Sequence, residues 1–178
     1  MNALQLLRQM HADTKVQFKL ILGSEDAGDA AVQWQALQPL LNLHEQLEDE
    51  FVYTPLFEEM GPGTTLGDWY LQHEADVAIV KHLIQVTDEL DPAAPEWRMS
   101  IAHVMDTLSK HVMDEEGQIF GRIEQLWGPE RLLQAGAQMQ ELQSRAASGR
   151  TRAVTSVKPA KARTTGKAAP ARRRGRGR

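Results

Sequence analysis

Residues 42–53, NLHEQLEDEFVY, decide the fold, because they combine a helical apolar pattern with two polar side chains on the same face. At about 100° per residue, His44 and Glu48 point in the same direction as Leu37 and Phe51, toward the buried side of the helix. A buried polar pair is unfavourable unless its members have partners. The stretch therefore predicts a helix with a chemical role in the core.

The same pattern occurs a second time in residues 110–120, KHVMDEEGQIF, where Glu115 follows His111 by four residues. Residues four apart lie on one face of a helix, about one turn from each other. Each copy is preceded along the chain by a helix with one inward histidine. The chain thus repeats one helical hairpin, which would place its two copies in equivalent surroundings.

Four segments carry apolar residues at steps of three and four, which is the pattern of helices that bury one stripe. Short Gly-, Pro- and Asp-rich connections such as 61-GPGTT-65 separate them, and no segment has the alternating pattern of a strand. The sequence predicts an all-α fold, an antiparallel up-down four-helix bundle over residues 1–125, with helices at about 2–22, 30–58, 66–89 and 96–124.

The chain beyond residue 125 falls into two parts. Pro129 suits a first helical turn, so residues 126–147 can form a short fifth helix, either as a cap on the bundle or at an interface. From residue 148 large apolar residues are nearly absent and positive charges accumulate. Residues 148–178 are therefore predicted to be a disordered Lys-, Arg-, Ala- and Pro-rich tail.

The charge of the chain is divided in the same way. Residues 145–178 hold 12 of the 20 Lys and Arg and none of the 24 acids, so a segment of +12 is attached to a domain of −16. Such a segment can bind DNA or RNA without sequence preference, because each neutralised phosphate releases counterions. It could equally fold back on the acidic domain or contact anionic lipid.

The absence of Cys limits the possible metal and catalytic chemistry, and the absence of long apolar segments bears on where the protein is expected in the cell. The chain has no Cys, so a disulfide, a thiolate metal site and a cysteine nucleophile are excluded, and any metal must be held by nitrogen and oxygen. It also lacks a long apolar run and the pattern of a secretory signal. We expect a cytoplasmic protein without a membrane partner, associated with the nucleoid if the tail binds DNA.

The directions of the histidines indicate a shared site. Four of them fall near the centre of the apolar stripe, one on each helix, whereas His82 and His103 point away from it. The four inward residues are His11, His44, His73 and His111. A single inward histidine is more often a hydrogen-bonded core residue than a ligand, but four from four helices can converge on one point.

Glu48 and Glu115 strengthen the case for a metal, because an ionised carboxylate inside a bundle needs a cation or strong partners. The predicted core positions include no Lys or Arg. Four histidines and two carboxylates exceed what one tetrahedral zinc needs and suit a carboxylate-bridged pair of iron or manganese ions. The Glu-x-x-His motif of ferritin-like bundles and the His-Glu-x-x-His motif of zinc proteases are both absent.

Four segments in order carry a family resemblance: MHADTKVQFKLI with His11, LHEQLEDEFVYTPL with His44, Glu48 and Pro55, QHEADVAIVKHLI with His73, and KHVMDEEGQIF with His111 and Glu115. Over roughly residues 4–125 the chain resembles the hemerythrin-like, or HHE cation-binding, domains. The resemblance implies a four-helix bundle that holds two non-haem iron ions, joined by an oxo or hydroxo bridge. The four histidines would be ligands and the two glutamates would bridge the irons.

The chain departs from the oxygen-carrying members of that family at one position. Those members have a second histidine four residues after the third-helix histidine, where this chain has Val77. One iron would then have an open position, a water, or an extra oxygen ligand such as Glu45 or Asp76. The departure favours the branch associated with iron or oxygen sensing, nitric oxide, or peroxide chemistry over reversible dioxygen transport.

Three hypotheses about function follow. The first is a sensor or redox module whose di-iron centre binds dioxygen, nitric oxide or peroxide, with a tail that tethers it to nucleic acid. The second is an enzyme that reduces peroxide or oxidises Fe(II) at the open iron position. The third is a structural bundle that acts only as an interaction module. The sequence leaves open whether the protein is an enzyme.

Overall fold

The computed structural model describes the backbone of residues 1–156 and the side chains of residues 1–148, and all regular structure in that part is helical. The helices are α1 Ala3–Gly23, α2 Ala27–Glu48, α3 Thr54–Met60, α4 Thr65–Asp88, α5 Pro95–Asp114 and α6 Phe120–Ser156. Two five-residue π-helical segments, Asp49–Tyr53 and Glu115–Ile119, join α2 to α3 and α5 to α6. The predicted all-α fold is confirmed.

Polar caps fix where the first helices begin. The Asn2 side chain accepts a hydrogen bond from the Gln5 backbone N–H at 2.8 Å, and the Gln5 side chain accepts one from the Asn2 N–H at 3.1 Å. Asp26 caps α2 and Thr64 caps α4 in the simpler way, each through one side-chain oxygen. Each cap satisfies backbone donors that have no partner within the first turn.

Neighbouring helices pack in opposite directions, as expected of an antiparallel bundle. Near one end of the bundle Phe18 of α1 contacts Trp34 of α2, and farther along both helices His11 contacts His44. The His73 ring contacts the His111 ring, and nearer the other end of the same helices Thr87 bonds Ser100, so α4 and α5 also run in opposite directions. No helix within residues 1–156 has both the length and the apolar composition needed to cross a membrane.

The two π-helical segments were not predicted. In each, a backbone N–H bonds the carbonyl five residues earlier, from Thr54 to Asp49 and from Phe120 to Glu115. Such a segment adds one residue to a turn and rotates the following helix relative to the preceding one. Each begins at or directly after the glutamate of a His-x-x-x-Glu pair, so the irregular backbone lies beside the candidate site.

Helix α6 is kinked at Gly128, whose φ of 69° and ψ of 174° lie outside the helical region. The part after the kink packs across the amino end of α1, where Gly136 lies so close to the Met1 carbonyl oxygen that a Cβ would be 2.5 Å from it. This part forms the fifth helix expected at 126–147 and continues to Ser156, past the predicted start of the tail. The rest of the predicted tail lies outside the described residues.

Within residues 1–148 the apolar core consists of two separate clusters. We call them the Leu4 cluster, which includes Leu4, Leu47, Tyr53, Phe120 and Met139, and the Trp34 cluster, which includes Phe18, Trp34, Leu41, Val80, Trp97 and Ile101. On α1 the Leu4 cluster ends at Leu7 and the Trp34 cluster begins at Phe18. Between them lies a layer of buried polar side chains.

Candidate metal centre

The polar layer is made of the six residues predicted as metal ligands. Five of them are buried and the sixth, His44, has a side chain that is only 15% exposed. They come from α1, α2, α4, α5 and the start of the second π-helical segment: His11, His44, Glu48, His73, His111 and Glu115. The predicted outward direction of His82 and His103 is confirmed, since both are exposed.

The six residues form two overlapping groups. His11, His44 and Glu48 can offer ligand atoms within 4.8 Å of one another, and so can Glu48, His73, His111 and Glu115. Glu48 therefore belongs to both groups. The described residues thus contain two adjacent groups of side chains that could each hold a cation and that share one carboxylate.

Distances within the first group are those of neighbouring ligands. His11 Nε2 lies 3.1 Å from His44 Nε2, and His44 Nε2 lies 3.2 Å from Glu48 Oε1. Bonds of roughly 2.0–2.2 Å to a common ion place adjacent ligand atoms about 3 Å apart.

The second group is similar, with His73 Nδ1 3.3 Å from His111 Nε2 and His111 Nε2 3.2 Å from Glu115 Oε1. Glu115 also reaches the first group, since its Oε2 lies 3.4 Å from His11 Nε2. Both carboxylates can thus extend across the two positions.

The donor set fits cations because two buried carboxylate oxygens lack a hydrogen-bond donor within the described residues. Glu48 Oε1 and Glu115 Oε2 are buried and accept no hydrogen bond from the described residues. Buried carboxylate oxygens are normally hydrogen-bonded or bound to a metal. The orphaned atoms lie between imidazole nitrogens, which are also metal ligands, so the arrangement suits a pair of cations with nitrogen and oxygen ligands.

Carboxylates on the far side of two imidazole rings hold the rings in place. Nδ1 of His11 lies 2.7 Å from Glu116 Oε1, and Nδ1 of His111 lies 3.4 Å from Asp76 Oδ2. Because a carboxylate only accepts, the hydrogen-bonded Nδ1 of His11 carries the proton and leaves Nε2 free to coordinate. Such contacts orient histidine ligands and make them more basic.

Each π-helical segment brings an aromatic ring against a histidine that is not part of a His-x-x-x-Glu pair. Tyr53 lies five residues after Glu48, and its ring centroid is 4.4 Å from that of His73. Phe120 lies five residues after Glu115 and stacks on His11 at 6.1 Å. The Tyr53 hydroxyl also donates a 2.5 Å hydrogen bond to a carboxylate oxygen of Glu115.

The same interactions perturb the protonation of the site. Burial lowers the pKa of His111, but hydrogen bonding and charge from Glu115, with a contribution from Glu48, raise it to about 9 overall. The pKa of Glu48 is held well below its ordinary value, because the nearby imidazoles of His44 and His11 outweigh the opposing effect of burial. The pKa of His11 is also raised, so in the metal-free protein protons on His11 and His111 supply positive charge beside the carboxylates.

The surroundings of Tyr53 favour its protonated form. Burial, and then the negative charges of Glu115 and Glu48, raise the pKa of Tyr53 well above its ordinary value. Tyr53 is therefore a neutral hydrogen-bond donor to Glu115 at physiological pH.

Both carboxylates considered as a substitute for the missing histidine already contact other side chains. Glu45 Oε1 pairs with Lys81 Nζ at 2.5 Å, and Asp76 Oδ2 lies 3.4 Å from His111 Nδ1. Together with Val77, they line a cavity of about 290 Å³. One end of this cavity is formed by the candidate ligands His11, His44 and His111, so a small molecule inside it would lie beside the metal positions.

Comparison with known proteins agrees with this geometry. The family model described as Hemerythrin HHE cation binding domain matches residues 2–123. A curated relative, a DNA nickase from Nostoc sp. (strain PCC 7120 / SAG 25.82 / UTEX 2576), is 24% identical over 123 residues, which cover 69% of this chain and 34% of the relative. The chain thus spans about a third of that protein's length. No solved structure matches the chain.

Proposed function

Because the chain belongs to the hemerythrin HHE cation-binding domain family, we propose that its polar layer holds two non-haem iron ions and serves as a sensor or redox module. The ligands would be His11, His44 and Glu48 at one position and His73, His111 and Glu115 at the other, with both glutamates as bridges. The observation that carries the proposal is the overlap of two ligand groups through one buried carboxylate.

The chemistry that iron would supply is reversible electron transfer together with an open coordination position for dioxygen, nitric oxide or peroxide. The chain's own residues determine what can reach that position. Val77 leaves space where a histidine side chain would fill part of the cavity, and most of the cavity surface is apolar. Glu116 contacts the His11 ring and Asp76 contacts the His111 ring. These contacts keep the ring nitrogens oriented toward the metal positions while a small ligand exchanges.

Iron content is the first test of this function. We expect full-length protein loaded with Fe(II) under nitrogen and then desalted to retain about two irons per chain by plasma mass spectrometry, with a near-ultraviolet band that changes on exposure to oxygen. Glu48→Gln should lose most of the iron, because it weakens a carboxylate shared by both groups. Glu50→Gln, two residues away and exposed, is the matched control. One iron per chain, or none, would contradict the proposal.

An enzyme is the second candidate, since the cavity gives small molecules direct access to the ligands. Steady-state consumption of hydrogen peroxide, or oxidation of Fe(II) beyond two equivalents per chain, separates this reading from a sensor. A sensor should react once per loading and then stop.

Tethering to nucleic acid is the remaining part of the proposal. It is supported by the +12 charge of residues 145–178 and by the name of the relative, a DNA nickase. The tail would hold the iron-binding domain near DNA or RNA without a preferred sequence.

A further inference from the structure

The cavity beside the metal centre is larger than dioxygen requires. Its volume is about 290 Å³, whereas a molecule the size of water occupies about 30 Å³. A diatomic ligand would therefore fill roughly a tenth of the space. The volume is close to the lower end of those found for sites that bind organic molecules, and it corresponds to about eight to ten non-hydrogen atoms.

The cavity is long and has different ends. Along α4 its wall runs from Val77 to Ile84, seven residues or roughly 10 Å of helix. The end near Val77 carries the nitrogen and oxygen atoms of the candidate metal ligands. The opposite end is formed by apolar side chains of the Trp34 cluster and its neighbours, including Phe18, Ile84 and Met105.

The apolar end offers water few hydrogen-bond partners, because side chains such as Phe18, Val80 and Leu108 provide none. Polar side chains that include Lys15, Lys81 and Ser109 also line the cavity, but most of its surface is apolar. A volume of about 290 Å³ over a length of roughly 10 Å gives a mean cross-section of about 29 Å², which suits a narrow molecule better than a branched one. An oxygen atom at the polar end would face the metal positions.

We propose that the cavity binds an unbranched aliphatic chain of about eight to ten non-hydrogen atoms, with a terminal oxygen at the metal centre and its methyl end near Met105. The class includes medium-chain alcohols, aldehydes and carboxylic acids. This deepens the proposed function by naming a substrate class for the same site, and it rests on that function only for the role of the oxygen-bearing end.

The test is calorimetric titration of octan-1-ol into the full-length chain, both metal-free and iron-loaded. We expect saturable binding of one molecule per chain in both forms. Intermolecular nuclear Overhauser effects in the metal-free protein should connect the terminal methyl group to the Met105 methyl group. Absence of saturable binding in both forms, or contacts from the hydroxyl end to Met105, would overturn the inference.

Two substitutions test the place of binding. Val77→Phe fills the cavity and should weaken octan-1-ol binding by about tenfold or more, whereas Ile79→Phe, on the exposed side of the same helix, should change it by less than about twofold. Ile84→Ala lengthens the apolar end, so the preferred alcohol should shift from about eight carbons toward ten. The Ile84 variant needs no extra side-chain volume, so it keeps the inference testable if Val77→Phe fails to fold.

The two proposals can fail separately. Iron retention without octan-1-ol binding would remove the substrate class and leave the di-iron centre in place. Octan-1-ol binding by a chain that retains no iron would remove the di-iron centre and leave the ligand class in place. An unchanged chain-length preference in Ile84→Ala would show that the alcohol binds elsewhere and would overturn the cavity assignment.

Discussion

The Tyr53 hydroxyl connects the Leu4 cluster to the polar layer through its hydrogen bond to Glu115. Tyr53→Phe removes that hydrogen bond and leaves the ring, and the equivalent position of the second half already has Phe120. We therefore expect the fold to persist and iron affinity to fall by about 10- to 100-fold, because Glu115 loses the donor that orients it. Competition with a chelator measures the affinity.

Tyr70→Phe is the matched control for this substitution. Tyr70 stacks on Phe57 and makes no hydrogen bond to the described candidate ligands, so its removal should leave iron affinity unchanged. Equal iron affinity in Tyr53→Phe and the parent protein would mean that the Glu115 contact does not position the ligand.

Protonation of His111 makes the stability of the metal-free protein depend on pH. Its pKa is raised from 6.5 to about 9, so the folded state holds the proton more tightly than the unfolded chain. The resulting stabilisation is fully present below pH 6.5 and disappears as the pH rises through about 9. We expect the free energy of unfolding in urea to fall by on the order of 1–3 kcal/mol across that window.

A control for the pH effect is available on the surface. His82→Gln, at an exposed position, should retain the fall in stability, whereas His111→Gln should lose it. Bound metal should also suppress the fall, because it takes the place of the proton on the imidazole. Stability of the metal-free parent protein that stays flat or rises over the window would contradict the assignment.

The inward direction of the six candidate ligands was predictable, because helical spacing alone sets where a side chain points. Their partners were not. A regular α-helix would point Tyr53 about 140° away from Glu48, but the π-helical segment makes residues five apart nearly one turn apart and brings Tyr53 back to the site. Glu116 lies next to Glu115 in sequence, and only the packing of α1 against the second π-helical segment shows that it binds His11.

At the scale of whole helices, a π-helical segment lets one continuous helical stretch turn both its candidate ligands and its apolar residues toward the core. Before the second segment α5 turns His111 inward, and after it α6 turns Phe120 and Ile123 inward. An uninterrupted α-helix would bury one set and expose part of the other. The segments therefore keep both the ligands and the Leu4 cluster on the inner side.

Deletion of Gly117 tests the role of the second π-helical segment, because it removes the extra residue from it. The segment would then close into a regular α-helix that still turns Phe120 inward, but the side chains of Glu115 and Glu116 would shift relative to His11. We therefore expect the fold to persist and iron affinity to fall by about tenfold or more. Thermal unfolding and iron content measure the two outcomes.

The control for the deletion is Gly117→Ala, since a Cβ at this position would meet no atom within 4 Å. It should be neutral or stabilise the protein by about 0.5–1 kcal/mol. A deletion variant with the stability and iron content of the parent protein would show that the segment is dispensable.

The spacing of apolar residues carries a signal for both π-helical segments, but that spacing alone does not distinguish a π-helical segment from a regular α-helix. After Glu48 the buried positions Val52 and Leu56 follow in steps of four, and after Glu115 Ile119 and Ile123 do the same. Successive steps of four exceed the 3.6-residue repeat and would turn the stripe away from the core. The helix bounds were predictable to within a few residues because Gly, Pro and capping residues mark them, whereas the phase shift depends on tertiary packing.

At the scale of the molecule, the charge division predicts where nucleic acid would bind. Deletion of residues 148–178 should abolish retardation of DNA in a gel and leave iron content unchanged, because the remaining domain is acidic. A shorter deletion of 157–178 keeps α6 whole and removes 9 of the 12 positive charges of residues 145–178. It should reduce the dependence of affinity on salt, and retardation that persists in the longer deletion would contradict the tether.

The polar layer between the two apolar clusters also fixes how far each helix can slide along its neighbours. Leu-on-Leu packing tolerates a shift of one turn, but a shift of α1 by one turn would place His11 against an apolar cluster and leave Glu116 without its partner. The layer thus specifies the register of the helices during folding, in addition to its role as a candidate binding site. Replacing it with apolar residues could raise stability while allowing more than one helix alignment.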